Sequence, residues 1–302
     1  MEFTTAEKVY FSGFSLPMSL SPSLAWPRGD EPYFALVFVE RGTLTVRAGS
    51  GEWAACPGPV VLLLRPGHSV RDVCVSGGEA TSLVFRLDAL NSTYARVGKD
   101  HAVPDVPDLF FLRPFRELPP RGFLARGVSL AFARKLSSTF RNLDIQLNRD
   151  QGEYWPCLSR SYLLESLILM ERNGYVDAEP LPAMHPEPQG LAGKVYEYLH
   201  LSYADRLSLD GIASRFATNR TDLNEAFRAE YGVTVMACLA DVRMEVARAL
   251  LRNTGVPISE ISFRVGFSDE SYFGRAFRKK CGMTPLEYRK SVPDPYQATL
   301  AR

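Results

Sequence analysis

The stretch "VGFSDESYFGRAFRKKCGMTP", Val265 to Pro285, joins a Gly-Phe turn, an acidic pair, two spaced aromatics and a run of cations. A weaker copy, "ATNRTDLNEAFRAEYGVT", lies upstream. Ile212 aligns with Ile261 and Ala213 with Ser262 at an offset of 49. Past the turn the offset is 50: Leu223 aligns with Phe273, Phe227 with Phe277, Arg228 with Arg278, Gly232 with Gly282 and Thr234 with Thr284. The second copy therefore carries one extra residue at Gly266-Phe267. Each unit reads as a short helix, a tight turn, a longer helix and a glycine stop. Gly232 and Gly282 suit the left-handed conformation that ends helices.

Leu223 with Phe227, and Phe273 with Phe277, are i,i+4 pairs, so one face of each longer helix is expected to be buried. The opposite face carries Thr221, Asn224, Glu225 and Arg228 in the first copy. In the second it carries Ser271, Gly274, Arg275 and Arg278. Short, polar or forked side chains of this kind can hydrogen-bond the edge of a base pair, and arginine is the commonest reader of guanine O6 and N7. An acidic helix start complements the dipole. The cations Arg220, Arg228, Arg278 and Lys279 can reach phosphates, which supply most of the affinity for DNA. The joining segment, "TVMACLADVRMEVARALLRN", is built of good helix formers and would span roughly 30 Å. Successive major grooves on one face of DNA lie about 34 Å apart. A plain helical bundle that uses the same aromatics as core is the competing reading.

Outward from this repeat, the pattern changes. Between Tyr33 and Leu87 the runs "YFALVFVERG", "TLTVRAGSG", "PVVLLLRPGHS", "VRDVCVSGG" and "ATSLVFRL" are short, apolar and mostly bounded by Gly, Pro or Ser. Short strands at this spacing predict a sandwich or small barrel. From about Ala125 to Arg172, "LARGVSLAFARKLSSTFRNLDIQL" and "YWPCLSRSYLLESLILMERNG" predict two amphipathic helices. "NGYVDAEPLPAMHPEPQG", Asn173 to Gly190, collects four prolines and reads as a semi-rigid linker and domain boundary. Nearly everything beyond it reads as helix.

The chain has 302 residues, room for about two domains, and its 46% hydrophobic and 23% charged content is that of a soluble globular protein. No apolar run approaches the roughly 20 residues of a membrane span. The acidic N-terminus lacks a long apolar core, so no signal peptide is expected. Residues 1–190 carry 19 basic and 21 acidic side chains, net −2, whereas residues 191–302 carry 16 and 13, net +3. Arg275–Lys280 alone holds four cations and no acid. Five scattered cysteines without a C-x-x-C pair read as free thiols in a reducing cytosol. Four histidines, none at metal-ligand spacing, give no support for a metal or other cofactor.

The stretches "ISEISFRVGFSDESYFGRAFRKKCGMTPLEYRK" and "LDGIASRFATNRTDLNEAFRAEYG" resemble the double helix-turn-helix domain of AraC/XylS-type transcriptional regulators. The second unit matches nearly residue for residue; the first lacks the Gly-Phe turn, as is usual in that family. The resemblance implies base contacts by Thr221, Asn224 and Glu225 in the first reading helix and by Glu270, Ser271 and Arg275 in the second. Glu225 and Glu270 depart from the commoner amide or basic residues, and a carboxylate can only accept, as from cytosine's amino group. More loosely, "ERGTLTVRAGSGEWAACPGPVVLLLRPGHSV" resembles the family's sensory domain, a small cupin-like barrel. The helical pair after it is where such proteins usually dimerise. The implied architecture is α+β, with a cupin-like sensing and dimerisation domain over residues 1–172 and a linker over 173–190. A double helix-turn-helix domain over 191–291 and a tail over 292–302 complete it.

Cupin barrels also house metalloenzymes, but such a site needs an H-x-H pair with a downstream Glu and another His. Here His68 stands alone after "RPG", and His101 is the next histidine. No G-x-S-x-G, P-loop or dinucleotide fingerprint is present, and Cys281 has no histidine in its motif. An enzyme is not expected. A barrel without metal can still enclose a small molecule. Phe34 and Phe38, alternating in the first strand, with Trp53 and His68, are the candidates to touch it; stacked aromatics suit a sugar, and equally a dry core. The expectation is a cytoplasmic, homodimeric transcription factor that binds double-stranded DNA in two adjacent major grooves. By the resemblance it is an activator working with RNA polymerase under small-molecule control. The alternative is control by a protein partner instead of a ligand.

Overall fold

The computed structural model describes residues 8–11, 14–25, 32–47, 53–66, 72–91, 94, 107–118, 122–149, 154–172 and 190–291. His68, His101, the tail over 292–302 and all of the expected linker but Gly190 lie outside them. Contacts separate two compact units, one before Glu187 and one over Glu187–Asp294.

Among the described residues the first unit holds ten strands: β1 (Lys8–Phe11), β2 (Phe14–Leu16), β3 (Met18–Ser21), β4 (Phe34–Val39), β5 (Thr43–Arg47), β6 (Trp53–Pro57), β7 (Val60–Leu64), β8 (Asp72–Ser76), β9 (Ala80–Phe85) and β10 (Phe123–Gly127). β1 and β2 form a hairpin. The others make an antiparallel five-stranded sheet in the order β10-β7-β4-β9-β3 and a three-stranded sheet in the order β6-β5-β8. Neither sheet closes on itself among the described residues, so the expected small barrel is here a pair of open sheets.

The period of two in β4 sorts its side chains between two layers. Ala35, Val37 and Val39 pack with Leu44 and Val46 of β5, Val60, Leu62 and Leu64 of β7 and Val84 of β9 in one cluster. The opposite side of β4 meets aromatic rings. Phe34 stacks on Phe85 at 5.5 Å and meets Phe115 edge-on at 5.2 Å, while Phe38 meets Phe140 edge-on at 6.2 Å. Burial on both faces explains why β4 and β7 are continuous apolar runs. β5 alternates instead, with Leu44 and Val46 buried and Thr43, Thr45 and Arg47 partly exposed.

Helices α1 (Arg113–Arg116), α2 (Leu130–Asp144) and α3 (Trp155–Arg172) follow, with a π-helical turn, Ile145–Arg149, extending α2. Two sequence expectations change here. "LARG", read as the start of a helix, is strand β10, paired Leu124 to Leu63 and Arg126 to Val61 on the edge of the larger sheet. Leu and Ala favour helix, but pairing with the buried β7 edge overrides that weak preference. α2 starts only at Leu130, where Ser129 Oγ accepts from Phe132 N–H at 3.1 Å. α3 is not amphipathic in the expected sense: thirteen of its eighteen residues are buried. It packs against α2 on one side and the segment Pro107–Leu112 on another, so little of its surface meets solvent. Its one fully buried charge, Arg160, donates from Nε to the Ala89 carbonyl at 2.7 Å.

The second unit is helical: α4 (Gly190–Ser202), α5 (Leu209–Arg215), α6 (Arg220–Tyr231), α7 (Val235–Asn253), α8 (Ile258–Arg264), α9 (Glu270–Cys281) and α10 (Pro285–Ser291). No helix among the described residues is long and apolar enough to cross a membrane.

Candidate nucleic-acid interface

α5–α6 and α8–α9 are two helix-turn-helix units built to the same local rules. Asn219 caps α6, its Oδ1 accepting from the N–H groups of Thr221 and Asp222 at 2.9 Å each. Asp269 caps α9 by accepting from Tyr272 N–H. These side chains satisfy donors that a helix start leaves unpaired. Both longer helices, α6 and α9, end on a left-handed glycine, Gly232 (φ 74°) and Gly282 (φ 78°). Thr234 then caps α7 through Ala237 N–H at 3.2 Å. Thr284 opens α10 in a reciprocal box with Glu287: Thr284 N–H donates to Oε2 at 2.7 Å and Glu287 N–H to Oγ1 at 3.2 Å. The bond from the Thr284 backbone, and secondarily its hydroxyl, holds the Glu287 carboxyl below the usual range.

The turns differ in one instructive way. Gly266 sits at φ 83°, and its counterpart in the first unit, Ala217, sits at φ 51°. Gly266 is also crowded: a Cβ there would lie 2.5 Å from the Tyr203 carbonyl oxygen and 2.7 Å from Arg243 Nη2. Arg243, midway along α7, donates from Nε to the Tyr203 carbonyl and from Nη2 to the Asp205 carbonyl, both at 2.8 Å. Its guanidinium lies 5.5 Å from the Phe267 ring centroid. One side chain thus ties the loop after α4 to the turn of the second unit, and burial lowers its pKa. Lys280 of α9 pairs with Asp241 of α7 at 2.6 Å. Arg289 of α10 donates to the Val256 carbonyl at 2.5 Å. The connecting helix is therefore braced against the loop after α4 and against the second helix-turn-helix unit. Its nineteen residues span about 28 Å.

Burial divides α6 and α9 along the buried and exposed faces expected from the sequence. Leu223, Phe227, Phe273 and Phe277 are fully buried. Thr221, Glu225, Arg228, Glu270, Ser271, Arg275, Arg278, Lys279 and Arg220 are exposed, and Asn224 is half-buried. Two of these side chains are engaged within the protein. Asn224 Oδ1 accepts from Val235 N–H at 3.2 Å, which fastens α6 to α7 and leaves the amide nitrogen to donate outward. Arg220 forms a two-pronged ion pair with Asp210 of α5; the Asp210 hydrogen bond and charge raise its pKa.

Sequence reasoning missed Tyr272 and Asp210. Tyr272 is 58% exposed between Ser271 and Arg275, with the Arg275 guanidinium 6.0 Å from its ring centroid. Its i,i+3 spacing to Arg275 was a usable signal. Asp210 lies ten residues before Arg220 on another helix, and no local spacing marks such a pair.

In the first unit, Phe34 and Phe38 face the helical layer rather than the space between the sheets. Trp53 begins β6, across from Arg47 of β5. Phe38 and Phe140 line a cavity of about 570 Å³ between the sheet and α2. Among the described residues no cluster of three or more His, Cys, Asp or Glu could hold a metal ion. Burial pushes the Cys281 thiol up, away from a reactive thiolate.

A protein-family model described as a helix-turn-helix domain matches residues 212–291. Over 274 residues the chain is 23% identical to the virulence regulon transcriptional activator VirF of Yersinia enterocolitica, covering 89% of this chain and 86% of that protein. It is 28% identical over 146 residues to the arabinose operon regulatory protein of Escherichia coli K12, covering 48% of each. Among solved structures, the C-terminal domain of AraT, a response regulator from Geobacillus stearothermophilus, is 28% identical. That match covers 36% of this chain and 93% of the other at a TM-score of 0.35.

Proposed function

We propose that this chain, a member of the AraC/XylS-type regulators, is a transcriptional activator that reads two successive major grooves of double-stranded DNA with α6 and α9. The observation that carries the reading is the repeated division of those helices, with an aromatic stripe fully buried and a polar, cation-rich stripe exposed. A plain bundle has no use for the same exposed stripe twice at a 50-residue offset.

Thr221, Glu225, Glu270, Ser271 and Arg275 are the base readers in this proposal. Asn224 joins them through its amide nitrogen alone, so it can address an acceptor such as N7 but not the paired donor and acceptor of adenine. Arg228, Arg278 and Lys279 hold phosphates; Arg220 does so only after exchanging Asp210 for one. In this reading the protein works as a homodimer beside RNA polymerase in the cytoplasm, as the AraC/XylS-type resemblance implies. A small-molecule effector with different affinity for two states of the N-terminal unit sets DNA occupancy by shifting their populations.

Selection of a random DNA pool by the full chain tests the reading. Two short enriched blocks about 10–10.5 bp apart, centre to centre, are expected. An unenriched pool would reject the reader assignment. Lys279→Ala should weaken binding to every sequence alike and flatten the salt slope by about 1. Asp210→Asn should act in the opposite direction. Freed from its partner, Arg220 becomes a phosphate ligand, and the salt slope should steepen by about 1 with tighter binding to any duplex. Titrations at several salt concentrations measure both, and an unchanged slope in Asp210→Asn would remove Arg220 from the phosphate set.

A further inference from the structure

The cavity in the first unit carries chemistry that the DNA-reading face does not use. Its 570 Å³ falls within the roughly 300–1,000 Å³ of small-molecule sites. Phe38 of β4 and Phe140 of α2, edge to face, give it an apolar floor. Two neighbouring turns supply part of its wall, one through Glu40 and Arg41 and the other through Gly77, Gly78 and Glu79. Their backbones are locked together: a Cβ on Gly78 would lie 1.8 Å from the Arg41 carbonyl oxygen, and one on Gly42 would lie 2.6 Å from that of Ser76. The charged side chains of these turns therefore project from a fixed frame.

Ser137 of α2 also lines the cavity, and its Oγ is buried with no hydrogen-bond partner among the described residues. A buried hydroxyl without a partner is costly and calls for an explanation. Charge gives the second clue. Asp144 is already committed to Arg149 at 2.6 Å and Asn148 at 2.8 Å. Two guanidinium groups, Arg41 and Arg141, and two carboxylates, Glu40 and Glu79, all exposed to solvent, line the cavity around the aromatic floor. A simple anion would face the two carboxylates, and a neutral sugar would leave both pairs of charges to water. A ligand that carries both signs uses all four.

We propose that this cavity binds a zwitterion of amino-acid or dipeptide size with an apolar side chain. Its carboxylate meets Arg41 and Arg141 in charge-assisted hydrogen bonds. Its ammonium lies toward Glu40 and Glu79, its side chain rests on Phe38 and Phe140, and the Ser137 hydroxyl receives a polar atom. The regulatory meaning of the site rests on the effector reading above; the binding does not.

Calorimetric titration of the full chain with L-leucine, L-phenylalanine and the dipeptide leucyl-phenylalanine tests the proposal, with N-acetyl-phenylalanine, phenylalaninamide and arabinose as controls. One of the zwitterions should bind one per chain, and each single-charge analogue should bind about tenfold or more weakly. Arg141→Gln should weaken the zwitterion while leaving the melting temperature of the unliganded protein in place; Ser137→Ala should weaken it too while raising that temperature, because the variant drops the unpartnered hydroxyl. A zwitterion that binds equally well to both variants would overturn the site and leave the effector reading standing. Arabinose binding in place of zwitterions, or no binding by any probe, would overturn the ligand class. Failure of the effector reading looks different: the zwitterion binds here as expected, yet DNA occupancy does not respond to it.

Discussion

Gly266→Ala is expected to destabilise the C-terminal unit by about 2.5–5 kcal/mol, the sum of two separate costs. Gly266 has φ 83°, a region that costs an L-residue about 1–2 kcal/mol. Its new Cβ would also meet the Tyr203 carbonyl at 2.5 Å and the Arg243 guanidinium at 2.7 Å, and one of them must move. Whichever moves, the Arg243–Tyr203 hydrogen bond is lost, and a bond to a charged group contributes about 1.5–3 kcal/mol. The first unit supplies the control. Ala217 already holds the equivalent turn at φ 51° with a Cβ present, so Ala217→Gly should stabilise by about 1 kcal/mol. Urea unfolding midpoints of the two variants should move in opposite directions. A Gly266→Ala protein as stable as the parent would mean that Arg243 does not brace the second turn.

That asymmetry also shows what a sequence can carry. The repeat was legible because each unit buries its core through residues four apart, Leu223 with Phe227 and Phe273 with Phe277, and stops at a glycine. These are local rules. Features that depend on partners distant in sequence were not legible. "LARG" has nothing local to mark it as a strand, because the edge of β7, some sixty residues upstream, decides it. The period of two correctly puts Phe34 and Phe38 on one face of β4, yet it does not say which face meets helices and which meets the second sheet. Asn224 and Arg220 were legible as polar residues on an exposed face, but their bonds to Val235 N–H and Asp210 come from helix packing. The sequence therefore locates the exposed polar face of each helix well and says less about how free each side chain on it is.

Phe277→Ala and Arg275→Ala, two residues apart on α9, should fail in opposite ways. Phe277 is fully buried, with ring centroids 5.7 Å from Phe273 and 5.5 Å from Tyr288 of α10. Its truncation leaves a cavity that its neighbours can only partly close, at a cost of about 3–5 kcal/mol. Arg275 is exposed, and its removal should barely change stability. On DNA the order reverses. Arg275→Ala should cost about 1–3 kcal/mol on the selected site and relax preference at one base position. Phe277→Ala, measured below its unfolding transition, should keep the parent's order of base preferences, because no reading group has changed. Denaturant unfolding paired with binding to single-base variants of the site separates the two effects. If Arg275→Ala left the base preferences intact while Phe277→Ala altered them, the two faces of α9 would have been assigned the wrong way round. If both substitutions cost only stability, α9 would be a bundle helix and the charged stripe merely solvated surface.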